Sequence, residues 1–301
     1  MNTQEFQDEI IITLPFDFNL SANLGYLSRN TSECMYEVEN AQLIKVIVIH
    51  ENRYLVRIHL NNHQQMVVHL LNRPLNKWEK AGLINYIREW FDLDTDLTQF
   101  YEIAQTDQLL HIPVQEHYGL RIIGLSDFFE AICWGIIGQQ INLTFAYTLK
   151  RRFVEKFGES IEWQGKKFWI FPTCERIAQL TPPDLTDMKM TLKKSEYIIE
   201  IAQLLTRGAL SKEQLKNLNY KEAEKTLIKI RGIGPWTANY VLMRCLRFKE
   251  AFPIDDVGLI NSIKTLQNMD RKPTKEEILK LAHHWKHWES YATFYLWRIL
   301  Y

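Results

Sequence analysis

Two glycines flanking one isoleucine, Gly232-Ile233-Gly234, constrain this chain more than any other feature. They separate two runs of helical period. Leu227 and Ile230 close the first run, and Trp236-Thr237-Ala238-Asn239-Tyr240 continues directly into the second. Helices joined by so short a turn lie against each other as an αα-hairpin. Glycine accepts backbone conformations that other residues resist. It also leaves bare N–H groups at the start of the second helix, a ready seat for phosphate. Further on, Phe252-Pro253-Ile254-Asp255-Asp256 ends an apolar run with two carboxylates. A phosphate anchor followed by an acid suggests an enzyme that grips a nucleic-acid backbone and works on the adjacent nucleotide. The same glycines would also suit a hairpin in which they only save space.

At 301 residues the chain is long enough for two or three domains. Its apolar fraction of 46% fits a globular protein. No apolar run is long enough to span a membrane, and the N-terminus lacks the regions of a signal peptide. The expected place is the cytoplasm, with the nucleoid if the source is bacterial. Cys34, Cys133, Cys174 and Cys245 form no CxxC pair, which argues against a zinc or iron–sulfur site and fits a reducing interior. The formal charge is zero, but its distribution is uneven. Residues 1–115 carry 8 Lys+Arg against 15 Asp+Glu, and residues 188–249 carry 13 against 5. The basic stretch contains the Gly-Ile-Gly turn, so a local positive field is expected there. Lys212, Lys216 and Lys225 read equally well as solvated helix faces.

The pattern implies an α+β chain: a small antiparallel β-sheet domain over 1–115, then a mostly α-helical region over 116–301. Three β-branched runs, 43–49, 54–60 and 65–70, are separated by short polar breaks and predict an antiparallel meander. A helix over 76–91 follows, with Trp78, Leu83, Ile84, Ile87 and Phe91 on one side. Asp127-Phe128-Phe129-Glu130 and Thr274-Lys275-Glu276-Glu277 match capping boxes. Further helices are expected over 142–157, 192–207, 212–217, 220–230, 236–247, 256–267, 275–285 and 289–300. A small hairpin fits 161–171, and Pro182-Pro183 marks a break between helices.

Leu227-x-x-Ile230-x-Gly232-Ile233-Gly234-x-Trp236-Thr237-Ala238, followed by Phe252-Pro253-x-x-Asp256, resembles the helix-hairpin-helix DNA glycosylase superfamily, in detail its AlkA-like 3-methyladenine DNA glycosylase II branch. Matching segments lie along most of the chain. Pro15-Phe16-Asp17 and Leu24-Gly25-Tyr26-Leu27 are similar to the start of the family's amino-terminal β domain. Phe129 to Ile141 is similar to a family helix and the wedge loop after it, and Trp288 to Trp297 to its last helix. The resemblance implies two helical subdomains sharing an active-site cleft.

It also implies a role for each matched residue. Asp256 is the candidate catalytic acid, a fixed carboxylate facing the positive charge that builds on the deoxyribose as the base departs. Asp255 is then a helix cap; from the residues alone, both acids would serve as caps. Trp236, Tyr240, Trp297 and Tyr26 line the base pocket, where electron-rich rings attract cationic bases such as 3-methyladenine or 7-methylguanine. Gly232, Ile233, Gly234 and Thr237 hold the DNA backbone. Gln140, with Gln139 as competitor, is the wedge that fills the gap left by a flipped base. Related enzymes that also cut the strand carry a lysine where this chain has Trp236, so the resemblance implies a monofunctional, water-using glycosylase in base excision repair. Val257 stands where some relatives carry an aromatic ring, which implies a wider pocket. The alternatives are a glycosylase for oxidised or deaminated bases and a non-catalytic helix-hairpin-helix DNA-binding protein. The expected partner is double-stranded DNA containing alkylated bases, met by a monomer. No cofactor is required, although backbone carbonyls at the hairpin could hold a monovalent cation. His283-His284-x-x-His287 puts two histidines on one helix face, but no acidic third ligand follows, and no metal is expected.

Overall fold

The computed structural model describes residues 9–300. Its first part alternates strand and helix: β1 Glu9–Ile12, α1 Leu20–Leu27, β2 Tyr36–Glu39, β3 Gln42–Ile49, β4 Asn52–Leu60 and β5 Met66–Leu70. These strands form one antiparallel sheet in the order β1-β5-β4-β3-β2. The meander is as expected. The short edge strands β1 and β2 carry too little pattern to stand out. β1 is placed only by pairing with β5, where Ile10 opposes Val68.

Three helices follow: α2 Lys77–Trp90, α3 Thr98–Thr106 and α4 His111–Glu116. Asn76 opens α2 with a full capping box to Glu79. Trp78 does not join the inner face of α2. It is 79% exposed, and Leu83, Ile87 and Trp90 are buried instead, because the inward stripe starts one turn after the cap.

The helical region begins with α5 Phe128–Ile137 and α6 Leu143–Phe157, then the hairpin β6 Glu159–Trp163 and β7 Lys166–Ile170. Asp127 caps α5, but Glu130 does not complete the box, since its carboxylate reaches Lys150 instead. Phe168 packs with Val46, Leu55 and Leu71, so the hairpin covers the outer face of the sheet. Next come α7 Cys174–Ala178, α8 Pro182–Thr186, α9 Leu192–Thr206, α10 Lys212–Lys216, α11 Tyr220–Ile228, α12 Pro235–Arg244, α13 Val257–Leu266, α14 Lys275–Leu281 and α15 Glu289–Leu296. The Pro182-Pro183 pair opens α8 and does not merely break the chain, because the first turn of a helix needs no N–H from proline.

One hydrophobic core runs from the inner face of the sheet through α5, α12 and α15. Polar contacts cross it as well. Arg121, 1% exposed, pairs with Asp17 at 2.6 Å, and the Trp285 indole donates to Asp107 at 2.8 Å. Among the described residues, no helix is long and apolar enough to cross a membrane.

Candidate active site

The hairpin sets the geometry of the cleft. Gly232 has φ +89°, and a Cβ there would overlap the Tyr197 ring of α9, so the position excludes side chains on two grounds. Gly234 differs. It is the N-cap of α12 in extended backbone, and a Cβ would meet nothing within 4 Å. Ile233 packs beneath the turn, 4% exposed. Among the described residues, the N–H groups of Gly234, Trp236 and Thr237 donate to no protein acceptor. The Thr237 side chain is buried and its hydroxyl accepts from Gln139 at 2.9 Å, so only its backbone N–H faces a phosphate.

The positive field expected around the turn is thinner than the residue count suggests. Arg231 is neutralised by Glu196, at 2.6 Å, and by Glu200. Lys212 and Lys216 both lean on Glu89, and Lys194 and Arg244 are buried. Lys193, Lys225 and Lys229 remain exposed.

Trp236 opens α12, and its indole N–H donates to Asp256 Oδ2 at 2.9 Å. From the C-terminal turn after α15, the Trp297 indole donates to Asp256 Oδ1 at 2.8 Å. The same oxygen accepts from the Leu259 N–H at 2.8 Å, which makes Asp256 the N-cap of α13. Three N–H groups thus aim one half-exposed carboxylate. Asp255 does not cap. It is exposed and leans on Lys275 at 3.6 Å, because only Asp256 is at the helix boundary. Val257 is 60% exposed and leaves the mouth open beside the acid.

The rings meet around this carboxylate. Trp236 and Tyr240 stack at 5.6 Å, and Tyr240 lies 6.3 Å from Trp297. Tyr26 arrives from α1 and packs on Phe294 at 4.4 Å. The tie between the two tyrosines is Arg244, which donates to the Tyr26 hydroxyl at 2.7 Å and the Tyr240 hydroxyl at 3.0 Å. Burial pushes the Tyr240 hydroxyl up, so it stays a neutral partner for the guanidinium. Arg29 lies over the other side of Tyr26, 3.6 Å from the ring centre. The two tyrosine rings therefore already face protein cations, whereas among the described residues neither indole does. Sequence reasoning missed Arg29 and Arg244. A lone arginine in a helical run carries no local sign of facing a ring from another domain.

Gln139 and Gln140 separate cleanly. Gln139 is tied down, its amide donating to Gly232 O and Thr237 Oγ1, both at 2.9 Å. Gln140 is exposed in a left-handed conformation, φ +56°. His283 and His287 share no helix face, since a 3-10 turn over Ala282–Trp285 replaces the α-helix there.

Residues 133–287 match the family model described as "HhH-GPD superfamily base excision DNA repair protein". The chain belongs to that superfamily. Residues 13–132 of this HhH-GPD protein match a second model, "8-oxoguanine DNA glycosylase, N-terminal domain". The protein is 63% identical over 303 residues to a DNA-3-methyladenine glycosylase of Bacillus subtilis, covering 100% of both chains. It is 32% identical over 179 residues to DNA-3-methyladenine glycosylase 2 of Escherichia coli, covering 60% of each. Its fold is similar to a 3-methyladenine DNA-glycosylase from Archaeoglobus fulgidus, with a TM-score of 0.83, 26% identity and 97% of both chains covered.

Proposed function

We propose that this HhH-GPD protein is a monofunctional DNA glycosylase that flips alkylated purines from double-stranded DNA and releases them with water. The observation that carries this reading is the Asp256 carboxylate held between two indoles beside a hairpin with free N–H donors. As the glycosidic bond breaks, positive charge grows on the sugar, and a fixed carboxylate in a site poor in water opposes it. Trp236 has no amine to form a Schiff base, and its N–H is already engaged by Asp256. Trp236 and Trp297 present the ring faces that a cationic base can use. Full-length relatives named for 3-methyladenine support the same substrate. The protein acts as a monomer with the DNA of the cytoplasm or nucleoid. A monovalent cation belongs to this reading too. Residues 228–234 contain no acid, so carbonyl oxygens of the hairpin would be its ligands.

Excision from oligonucleotides carrying single lesions tests the reading. 3-Methyladenine and 7-methylguanine are released, and the strand breaks only after hot alkali. Release of uracil or 8-oxoguanine with methylated purines untouched would overturn the substrate. That second reading, an enzyme for oxidised or deaminated bases, draws on one observation: Arg29 puts spare N–H donors at the inner end of the pocket, where a carbonyl oxygen would fit.

The two glycines of the hairpin separate folding from binding. Gly234→Ala changes unfolding by less than about 0.5 kcal/mol, because its Cβ enters open space. It weakens binding to every sequence alike, since phosphate contacts carry no base information. Gly232→Ala costs more than about 1 kcal/mol of stability through its positive φ and the Tyr197 overlap. Denaturant melts and binding isotherms on unrelated duplexes check both. A preference among lesions that changes with Gly234→Ala would contradict the anchor role.

A further inference from the structure

Lys194 is buried, 8% exposed, and no carboxylate lies against it. Its ammonium instead donates to Ile137 O and Gln139 O, both at 2.8 Å. Ile137 ends α5, and helix-end carbonyls are the one place where an unpaired buried cation is matched without an acid. Burial pulls this lysine's pKa down, so only strong acceptors keep it seated. The held segment is the short loop between α5 and Asn142, the N-cap of α6. Gln139 within it is also tied to the hairpin through Gly232 O and Thr237 Oγ1. With its neighbour fixed from both sides, Gln140 is left exposed in the left-handed region, a conformation a free loop would seldom keep.

The same stretch of α9 also holds the hairpin. Tyr197 fills the space against Gly232, and Glu196 and Glu200 bind Arg231. One and a half turns of one helix thus set the distance between the loop carrying Gln140 and the turn facing the phosphates.

We propose that Lys194 is a positioning residue for base extrusion: it fixes the loop that presents Gln140, at a set spacing from the phosphate anchor. This rests on the reading of the protein as a base-flipping glycosylase with Gln140 as its wedge. Extruding a base costs a few kcal/mol of stacking and pairing, least where the base is already unpaired. A misplaced wedge therefore harms lesions in a matched pair far more than lesions in a bulge.

The test uses the full-length protein and Lys194→Met. Single-turnover excision of one methylated purine is measured in a matched duplex and in a one-nucleotide bulge. Fluorescence of 2-aminopurine in an undamaged duplex reports extrusion without chemistry. Excision from the matched duplex falls about 100-fold, the scale of a one-ångström misplacement, and excision from the bulge changes less than about 3-fold. The 2-aminopurine signal falls with the first. Gln140→Gly gives the same pattern, and adding it to Lys194→Met brings no further loss, as expected for two residues acting as a unit. Gln139→Leu cuts the tie to the hairpin, leaves Lys194 in place and serves if the lysine variant does not fold. It too lowers matched excision selectively. Equal losses in both contexts, no loss in either, or additive losses in the double variant would overturn the proposal. If the wild type excises no methylated purine in either context but still extrudes 2-aminopurine, the substrate reading fails while the role of Lys194 remains open to the fluorescence arm.

Discussion

Asp256→Asn slows release of methylated purines by at least about 1,000-fold while binding to the same DNA is kept or tightened. The substitution is nearly isosteric, and asparagine caps a helix as well as aspartate does. The Leu259 N–H and the Trp297 indole therefore keep an acceptor. The new amide turns its NH2 toward the Trp236 indole, which is a donor, so that one bond is lost. A variant with an intact cap, a near-native melt and no base release separates the two roles that one side chain plays in this structure. Removing the charge also removes its repulsion of phosphate, which is why binding does not weaken. Single-turnover excision and DNA titration on the same preparation decide the matter. Base release at the wild-type rate would leave Asp256 as a cap and nothing more.

Lys150→Met destabilises the protein by about 3–5 kcal/mol, the cost of stranding buried charge. Lys150 on α6 lies 3.1 Å from both Glu33 and Glu130, and all three side chains are nearly inaccessible. Glu33 sits in the loop after α1 and Glu130 on α5, so this cation joins the β domain to the helix that precedes the Gln140 loop. The loss depends on pH. Burial pushes Glu33 up, but Lys150 and the Met35 N–H outweigh it and hold the carboxyl below 4.5. In the wild type its stabilisation is complete above pH 4.5 and is lost as pH falls through the lowered folded value. Without Lys150, two adjacent carboxylates must share a proton, so one rises above its unfolded value and is relieved on acidification. Denaturant melts at about pH 8 and about pH 5 show the gap between wild type and variant narrowing at the lower pH. A gap that is constant, or wider in acid, would rule out this account.

Much of the fold is written locally. Asn142, Thr274 and the Gly-Ile-Gly turn announce helix starts because a cap satisfies N–H groups within three residues of itself. The meander shows because strands of alternating apolar residues are joined by short polar turns. Elements that depend on distant partners do not show: β1 needs β5, and Glu130 forgoes its cap for Lys150. At the site, Trp236 and Tyr240 share a helix face that is legible in their spacing. The clasp of Arg244 on Tyr26 spans 218 positions and has no sequence signature.

The order of local residues determined the hairpin, the caps, the sheet meander and, through a family pattern, the acid at 256 and the indole at 236. Tertiary structure alone decided that Asp256 and not Asp255 receives the two indoles, that Gln139 is tied while Gln140 is free, and that buried Lys194, Arg244 and Lys150 hold the cleft together. The reason is range. Backbone caps and periodicity act within a turn or two, whereas a buried charge is matched by whatever acceptor the packed chain brings within hydrogen-bond distance.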